Sequence, residues 1–464
     1  NGRNIMDHAK QVILLVEGRR GVSIYNIYTL GTRLPLHLLA ITASYTTIFL
    51  NYCAPYFVSI MKSNNKIEYL SKDILDEEFI KSIRLMYHFQ MVMASSRVNV
   101  KDRFVSTPSF LQRCHTILSI ILLLGLDYLI VHKYNLILFD NDTVYYLSTC
   151  VTGLQTLTFL CNIIHVRFVN GDANVSFLVK LQKIDRCMKL ERNKSITALL
   201  VWTNIYSLAT VLVIFSSLLA VASAKGIATF WPYLGTVYSQ ISFVIELVCC
   251  SNIIMYFFIR ARFLNSIIKN YLDQKKTQDI LYSRKHRFSS FFATKIFIRR
   301  LAAESHNFTS SETDVYLNEI LDGFSKFQDV YRFQIFMFCC KLVASSLITF
   351  EFLLFAVQND VNLWDSLTPS FFTIIDLVMA LILGIRCEIF IREVKETKRL
   401  VISVMSIHYD GRIREKAKRI LKIIEETPPR FSVYDMWQLD ANILLQMFML
   451  VTSLVVTQLQ FAFL

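Results

Sequence analysis

The last apolar run of the chain carries polar residues at a spacing that could do chemistry. Asn442, Gln446, Ser453, Thr457 and Gln460 fall within about 60° of one another at ~100° per helical residue, so they form one band along the whole run. An unpaired buried amide in lipid costs several kcal/mol, so such a band faces protein or water rather than acyl chains. Two arrangements satisfy it: a hydrogen-bonding seam against a neighbouring helix, or one wall of an aqueous pore made by several subunits.

Acids inside apolar runs are the second group. Glu246, Glu351 and Asp376 sit where a charge is costly, so each is either functional or paired for structure. Lys341 is a candidate partner for Glu246. Catalytic chemistry has no comparable footing. The nine His do not cluster with Cys or acids at ligand spacing, and the ten Cys are scattered. No metal, no cofactor and no enzymatic activity are expected.

These residues need apolar elements to hold them, and the composition supplies them. Of 464 residues, 54% are hydrophobic and only 18% charged, against about 25% charged in soluble domains. The mean hydropathy is +0.42. Gly and Pro are scarce, so no flexible linker is visible. The apolar residues fall in runs near the roughly 20 residues that cross a bilayer as a helix. Seven such runs follow residue 110, at about 115–133, 144–166, 197–222, 233–259, 332–357, 367–390 and 441–463. The expected fold class is therefore an all-α, polytopic membrane protein of seven transmembrane helices. One more apolar segment, about 34–58, precedes them.

Charge between the runs sets a direction. The net charge of +13 does not require nucleic acid, because the basic residues lie between apolar runs, where cytoplasmic loops collect them. Residues 167–194 hold seven Lys/Arg, residues 260–330 a dozen and residues 391–440 eleven. The alternate loops hold Lys133, Lys225 and, between the fifth and sixth runs, only Asp360 and Asp365 as charges. A cytoplasmic N-terminus and an extracellular C-terminus follow, opposite to a G-protein-coupled receptor. Neither Asp-Arg-Tyr after the third run nor Asn-Pro-x-x-Tyr in the seventh is present.

"TSLVVTQLQF" (452–461), closing a seven-run, N-inside chain, resembles the C-terminal signature of insect gustatory receptors, which reads Thr-Tyr, five hydrophobic residues, Gln-Phe. "FSVYDMWQLD" before the last run, "RARFLN" (260–265) and "LVKLQKIDRCMKL" (178–190) fit as well, and the resemblance covers Met61 to Leu464. Ser453 stands for Thr, Leu454 for Tyr, and Gln458 is polar where an apolar residue is usual; Gln460 and Phe461 match. The resemblance implies a ligand-gated, non-selective cation channel of four subunits in the plasma membrane. It would be a homotetramer or a heterotetramer with other gustatory receptors. The last helix of each subunit would line a central pore, with Gln446, Ser453 and Thr457 along it and Gln460 and Phe461 as the gate. A small-molecule tastant would sit between helices in the outer half of each subunit, where Tyr145, Gln155, Tyr238, Gln240, Glu351 and Asp376 are the candidates. Val455 after Leu454 favours a bitter or plant compound over a sugar. A transporter or a G-protein-coupled-type chemoreceptor is the alternative.

The domain organisation expected is a cytoplasmic N-terminal region at 61–114, a six-helix ligand-binding bundle at 115–390 with cytoplasmic loops 167–196 and 260–331, a cytoplasmic anchor at 391–440 and the pore-lining helix at 441–464. Residues 1–60 read as the tail of an upstream receptor copy. "SYTTIFLNY" (44–52) has the shape of the chain's own ending, and Arg33, His37, Ser44 and Asn51 occupy the places of Asn442, Gln446, Ser453 and Gln460.

Overall fold

A computed structural model describes residues 74–129, 142–190, 194–224, 227–279, 308, 312–358 and 363–463. The segment read as an extra helix at 34–58 lies outside the described residues. The described chain is helical apart from two short hairpins. Its elements run α1 (Glu77–Val92), β1 (Asn99–Lys101), β2 (Phe104–Ser106), α2 (Phe110–Leu129) and α3 (Asp142–Ile164). A π-helical turn at His165–Val169 follows, then α4 (Gly171–Cys187), α5 (Lys194–Ala224), α6 (Ile227–Asp279), α7 (Thr313–Gln358), α8 (Leu363–Ile407) and α9 (Arg412–Glu426). The chain closes with β3 (Ser432–Val433), β4 (Trp437–Gln438) and α10 (Ile443–Phe463).

Five helical stretches among the described residues are long and apolar enough to cross a membrane: Phe110–Tyr128, Tyr145–Val169, Lys194–Ala220, Leu234–Lys275 and Thr313–Leu353. The other two runs read from sequence, 367–390 and 441–463, are helical as well, within α8 and α10. The ends differ from the expected runs. The fourth run, read as 233–259, belongs to a helix of 53 residues, and the fifth and sixth belong to helices of 46 and 45. At 1.5 Å per residue α6 is about 80 Å long, more than twice the hydrocarbon thickness. Helix continues past the apolar run because stretches such as "RARFLNSIIKNYL" keep apolar residues three and four apart, one face still packed.

The middle of the bundle is α6. Its most apolar window is 83% buried, against 22% for α2 at the periphery. It packs chiefly on α8 and α5. At the ends of the apolar runs, rings from four elements interlock: Phe257 of α6, Phe324 and Phe327 of α7, Phe390 of α8, and Phe431 just before β3, with Phe324 and Phe390 centroids 4.6 Å apart. Edge and offset pairs of this kind add about 0.5–1.5 kcal/mol each beyond area burial.

Residues 74–114, the described part of the region 61–114 read as cytoplasmic, hold more structure than that reading gave them. Helix α1 packs on α5. The β1–β2 hairpin turns on Asp102 and Arg103, both at positive φ (51° and 69°), the twist that a two-residue hairpin turn needs. Between α1 and β1, Ala94, Ser95, Ser96, Arg97 and Val98 are buried in the bundle. Arg167 holds this segment, donating from Nη1 to the Ser96 carbonyl at 2.6 Å and from Nη2 to the Ala94 carbonyl at 3.3 Å.

Candidate functional site

Two of the six residues expected to form a ligand pocket meet. Gln240 of α6 donates from Nε2 to Oδ1 of Asp376 on α8 at 2.9 Å. Lys341 of α7 completes the group: its Nζ donates to Gln240 Oε1 at 2.5 Å and to Asp376 Oδ1 at 3.1 Å, and lies 2.9 Å from Asp376 Oδ2. All three side chains are buried. The Phe243 ring, one turn along α6, has the Lys341 ammonium 5.3 Å from its centroid, a further source of cation stabilisation. An acid, an amide and a lysine therefore tie three helices together at one level. A ligand that used Asp376 would first have to displace Lys341, exposing two buried charges to each other's loss.

Lys341 is thus not the partner of Glu246, as the sequence suggested. Glu246 binds Arg97, whose Nη2 and Nε lie 2.9 Å and 3.1 Å from its Oε2. Gln90 donates to its other oxygen at 2.8 Å. The Arg97 guanidinium also stacks 3.9 Å from the Tyr331 centroid and donates to Asn174 Oδ1 at 3.2 Å. No local pattern signals that a residue ahead of the first apolar run reaches a mid-helix acid, because the two are 149 residues apart.

Among the described residues, none of the remaining candidates is hydrogen-bonded to this triad. Gln155 is buried on α3, and its Oε1 has no hydrogen-bond partner among the described residues. Tyr238 packs on Phe159 with centroids 5.8 Å apart, one helical turn from Gln155. Tyr145 is edge-on to Tyr146 at 5.4 Å, near the start of α3. Glu351 is partly exposed on α7, beside Ile348 and Phe352, which pack on Leu147. Two polar contacts in these helices went unremarked in the sequence: Thr156 donates to Asp127 between α3 and α2, and Thr349 pairs with Thr373 at 2.8 Å between α7 and α8. Lys341 carries a sequence signal, since past Arg332 at the edge of the run it is the only basic residue in 332–357, and an intramembrane lysine requires an acid.

On α10, Ile443 and Met447 are buried against the bundle, and the helix packs on α7 and α8. Asn442 and Ser453 of the polar band are exposed and Gln446 is partly exposed. Among the described residues the Asn442 and Gln446 side chains therefore form no seam against another helix of the chain. The side chains of Thr457, Gln460 and Phe461 lie outside the described residues. Among the described residues no group of His, Cys, Asp and Glu could hold a metal ion.

No protein-family model matches the chain, and no curated protein matches it.

Proposed function

We propose that the chain is one subunit of a ligand-gated cation channel of the gustatory-receptor type, with α10 lining a pore shared by four subunits. The observation that carries this reading is the exposure of Asn442, just ahead of α10, and the partial exposure of Gln446 one turn on, beside the packed Ile443 and Met447. Amides left facing outward from a membrane helix require water or another subunit. A central pore supplies both. Gln460 and Phe461 form the gate near the outer mouth, and the tastant binds between helices in the outer half, with Gln155, Tyr145, Tyr238 and Glu351 as its contacts. In this reading Lys341, Gln240 and Asp376 brace the helices around the pocket.

Replacing Phe461 with Ala removes an apolar ring that seals a narrow mouth by excluding water. Whole-cell recording is expected to show current without ligand in Phe461→Ala and altered ion selectivity in Gln460→Ala. Wild-type gating and selectivity in both variants would overturn the gate assignment.

The orientation is tested separately. With the N-terminus cytoplasmic, an epitope placed within 358–366 is expected to label on intact cells, and one within 275–290 only after permeabilisation. The reverse pattern would remove the seven-span, inverted arrangement and the outer-mouth gate with it.

A further inference from the structure

The basic residue Arg386 lies in α8, at the end of the apolar stretch that begins near Phe371. The residue is partly exposed, and its hydrogen-bond partner is a neutral one: Nη1 donates to Asn252 Oδ1 of α6 at 2.6 Å. Asn252 is itself engaged by α5, donating to Asn204 Oδ1 at 2.7 Å and accepting from Ser207 Oγ at 3.3 Å. Three helices therefore meet in a polar layer that contains one full positive charge. Among the described residues no carboxylate pairs with it, whereas Arg97, Arg260 and Lys341 each have one. A guanidinium carries five donors, and Asn252 takes only one of them.

The level of this layer is fixed by α1. Asn204 donates from Nδ2 to the Ser82 carbonyl of α1 at 2.7 Å, and the same helix exposes Lys81 and Glu77 to water, 3.2 Å apart. Charged residues therefore lie within about a turn of the layer on α1, and Asn204, Asn252 and Arg386 all fall in the half of their apolar runs nearer the basic loops. On α5, Trp202 and Tyr206 are 55% and 68% exposed with centroids 5.8 Å apart, aromatic residues of the kind that sit at headgroup depth. Ile385 and Ile389 of α8 are exposed as well, offering apolar surface on either side of Arg386 along the helix.

We propose that Arg386 binds the phosphate of an anionic glycerophospholipid, whose acyl chains lie on the exposed apolar surface of the helix beside it. Charge complementarity selects this occupant. The guanidinium fork matches two phosphate oxygens, and basic positions between membrane helices at the headgroup level are suited to anionic lipid heads. The bound lipid reinforces the joint among α5, α6 and α8 that Asn252 makes.

Mass spectrometry of the full chain purified in mild detergent from membranes doped with phosphatidylserine measures the retained phospholipid directly. Wild type is expected to retain phosphatidylserine over phosphatidylcholine, and Arg386→Met to lose about fivefold in that preference, the worth of one basic residue near the surface. Arg113→Met, which removes an exposed basic residue on α2, is expected to keep it. Inorganic phosphate added at millimolar concentration is expected not to displace the lipid, because it lacks the acyl chains; displacement would make the site one for free phosphate and overturn the proposal. Equal retention of the two lipids by wild type would also overturn it, whether or not Arg386→Met folds, as would an undiminished preference in Arg386→Met. A preference that disappears equally in Arg113→Met would mark general surface attraction and likewise overturn it.

Discussion

Glu246→Ala is expected to destabilise the protein by about 3–5 kcal/mol, the cost of leaving a buried charge without its partner. The Glu246 and Arg97 side chains are 1% and 8% exposed and 2.9 Å apart. Arg97 cannot escape by moving, because its segment is fixed by Arg167 on one side and its own guanidinium is stacked on Tyr331. Nor can it easily lose its proton. Among the described residues, the variant's cation then keeps Asn174 Oδ1 and the Tyr331 face as partners, neither of them charged. Arg97→Met combined with Glu246→Leu removes both charges while filling similar volume, and most of the loss is expected to return. Thermal unfolding of the purified protein in one detergent measures all three. A double variant as unstable as Glu246→Ala would show that packing, not charge pairing, sets the cost.

That pair also marks where sequence reading reached its limit. The apolar runs were legible because hydropathy is local: the described part of each run is almost wholly helical, and the band on α10 could be drawn from residue numbers alone. What continues a helix beyond its apolar run is weaker in pattern, so the 53 residues of α6 read as a span followed by a loop. Pairings across distant segments left no local trace. Arg97 and Glu246 are 149 residues apart in sequence, and Gln240 and Asp376 are 136 apart. Charge balance alone allowed Lys341 to join Glu246 or Asp376, and only the packing of α6, α7 and α8 selects the second. Gln240 and Asp376 were named from their depth in apolar runs; that they share one lysine follows from helix rotation, which hydropathy does not fix for helices buried on most sides. The polar band of α10 was legible as a pattern, whereas which side of the helix packs depends on Ile443 and Met447 meeting the bundle.

Gly384→Ala is expected to destabilise the protein by about 1–3 kcal/mol, as overpacking does in a close-packed interior, and to disturb gating. A Cβ at this position of α8 would stand 2.5 Å from the Asp440 carbonyl oxygen and 3.2 Å from Ile443 Cγ2. The first contact is with backbone, which cannot rotate away as a side-chain end can. Asp440 is also the residue that sets the entry to α10: its carbonyl accepts from the Ile443 amide at 3.2 Å, and its Oδ1 accepts from the Asn442 amide at 2.9 Å. Pushing Asp440 outward moves the start of the helix whose polar band begins at Asn442. In a channel that uses this band as its pore wall, the displaced helix is expected to change current in the absence of ligand. Gly125→Ala in α2 is the matched control, since its Cβ would meet nothing within 4 Å and replacing a helical glycine there is expected to be neutral or stabilising by about 0.4–1 kcal/mol. Thermal unfolding and whole-cell recording on the same two variants separate the effects. A Gly384→Ala protein as stable as Gly125→Ala would show that α10 does not rest on α8 at this point, and a destabilised protein with unchanged currents would leave the contact in place while removing it from the path of gating.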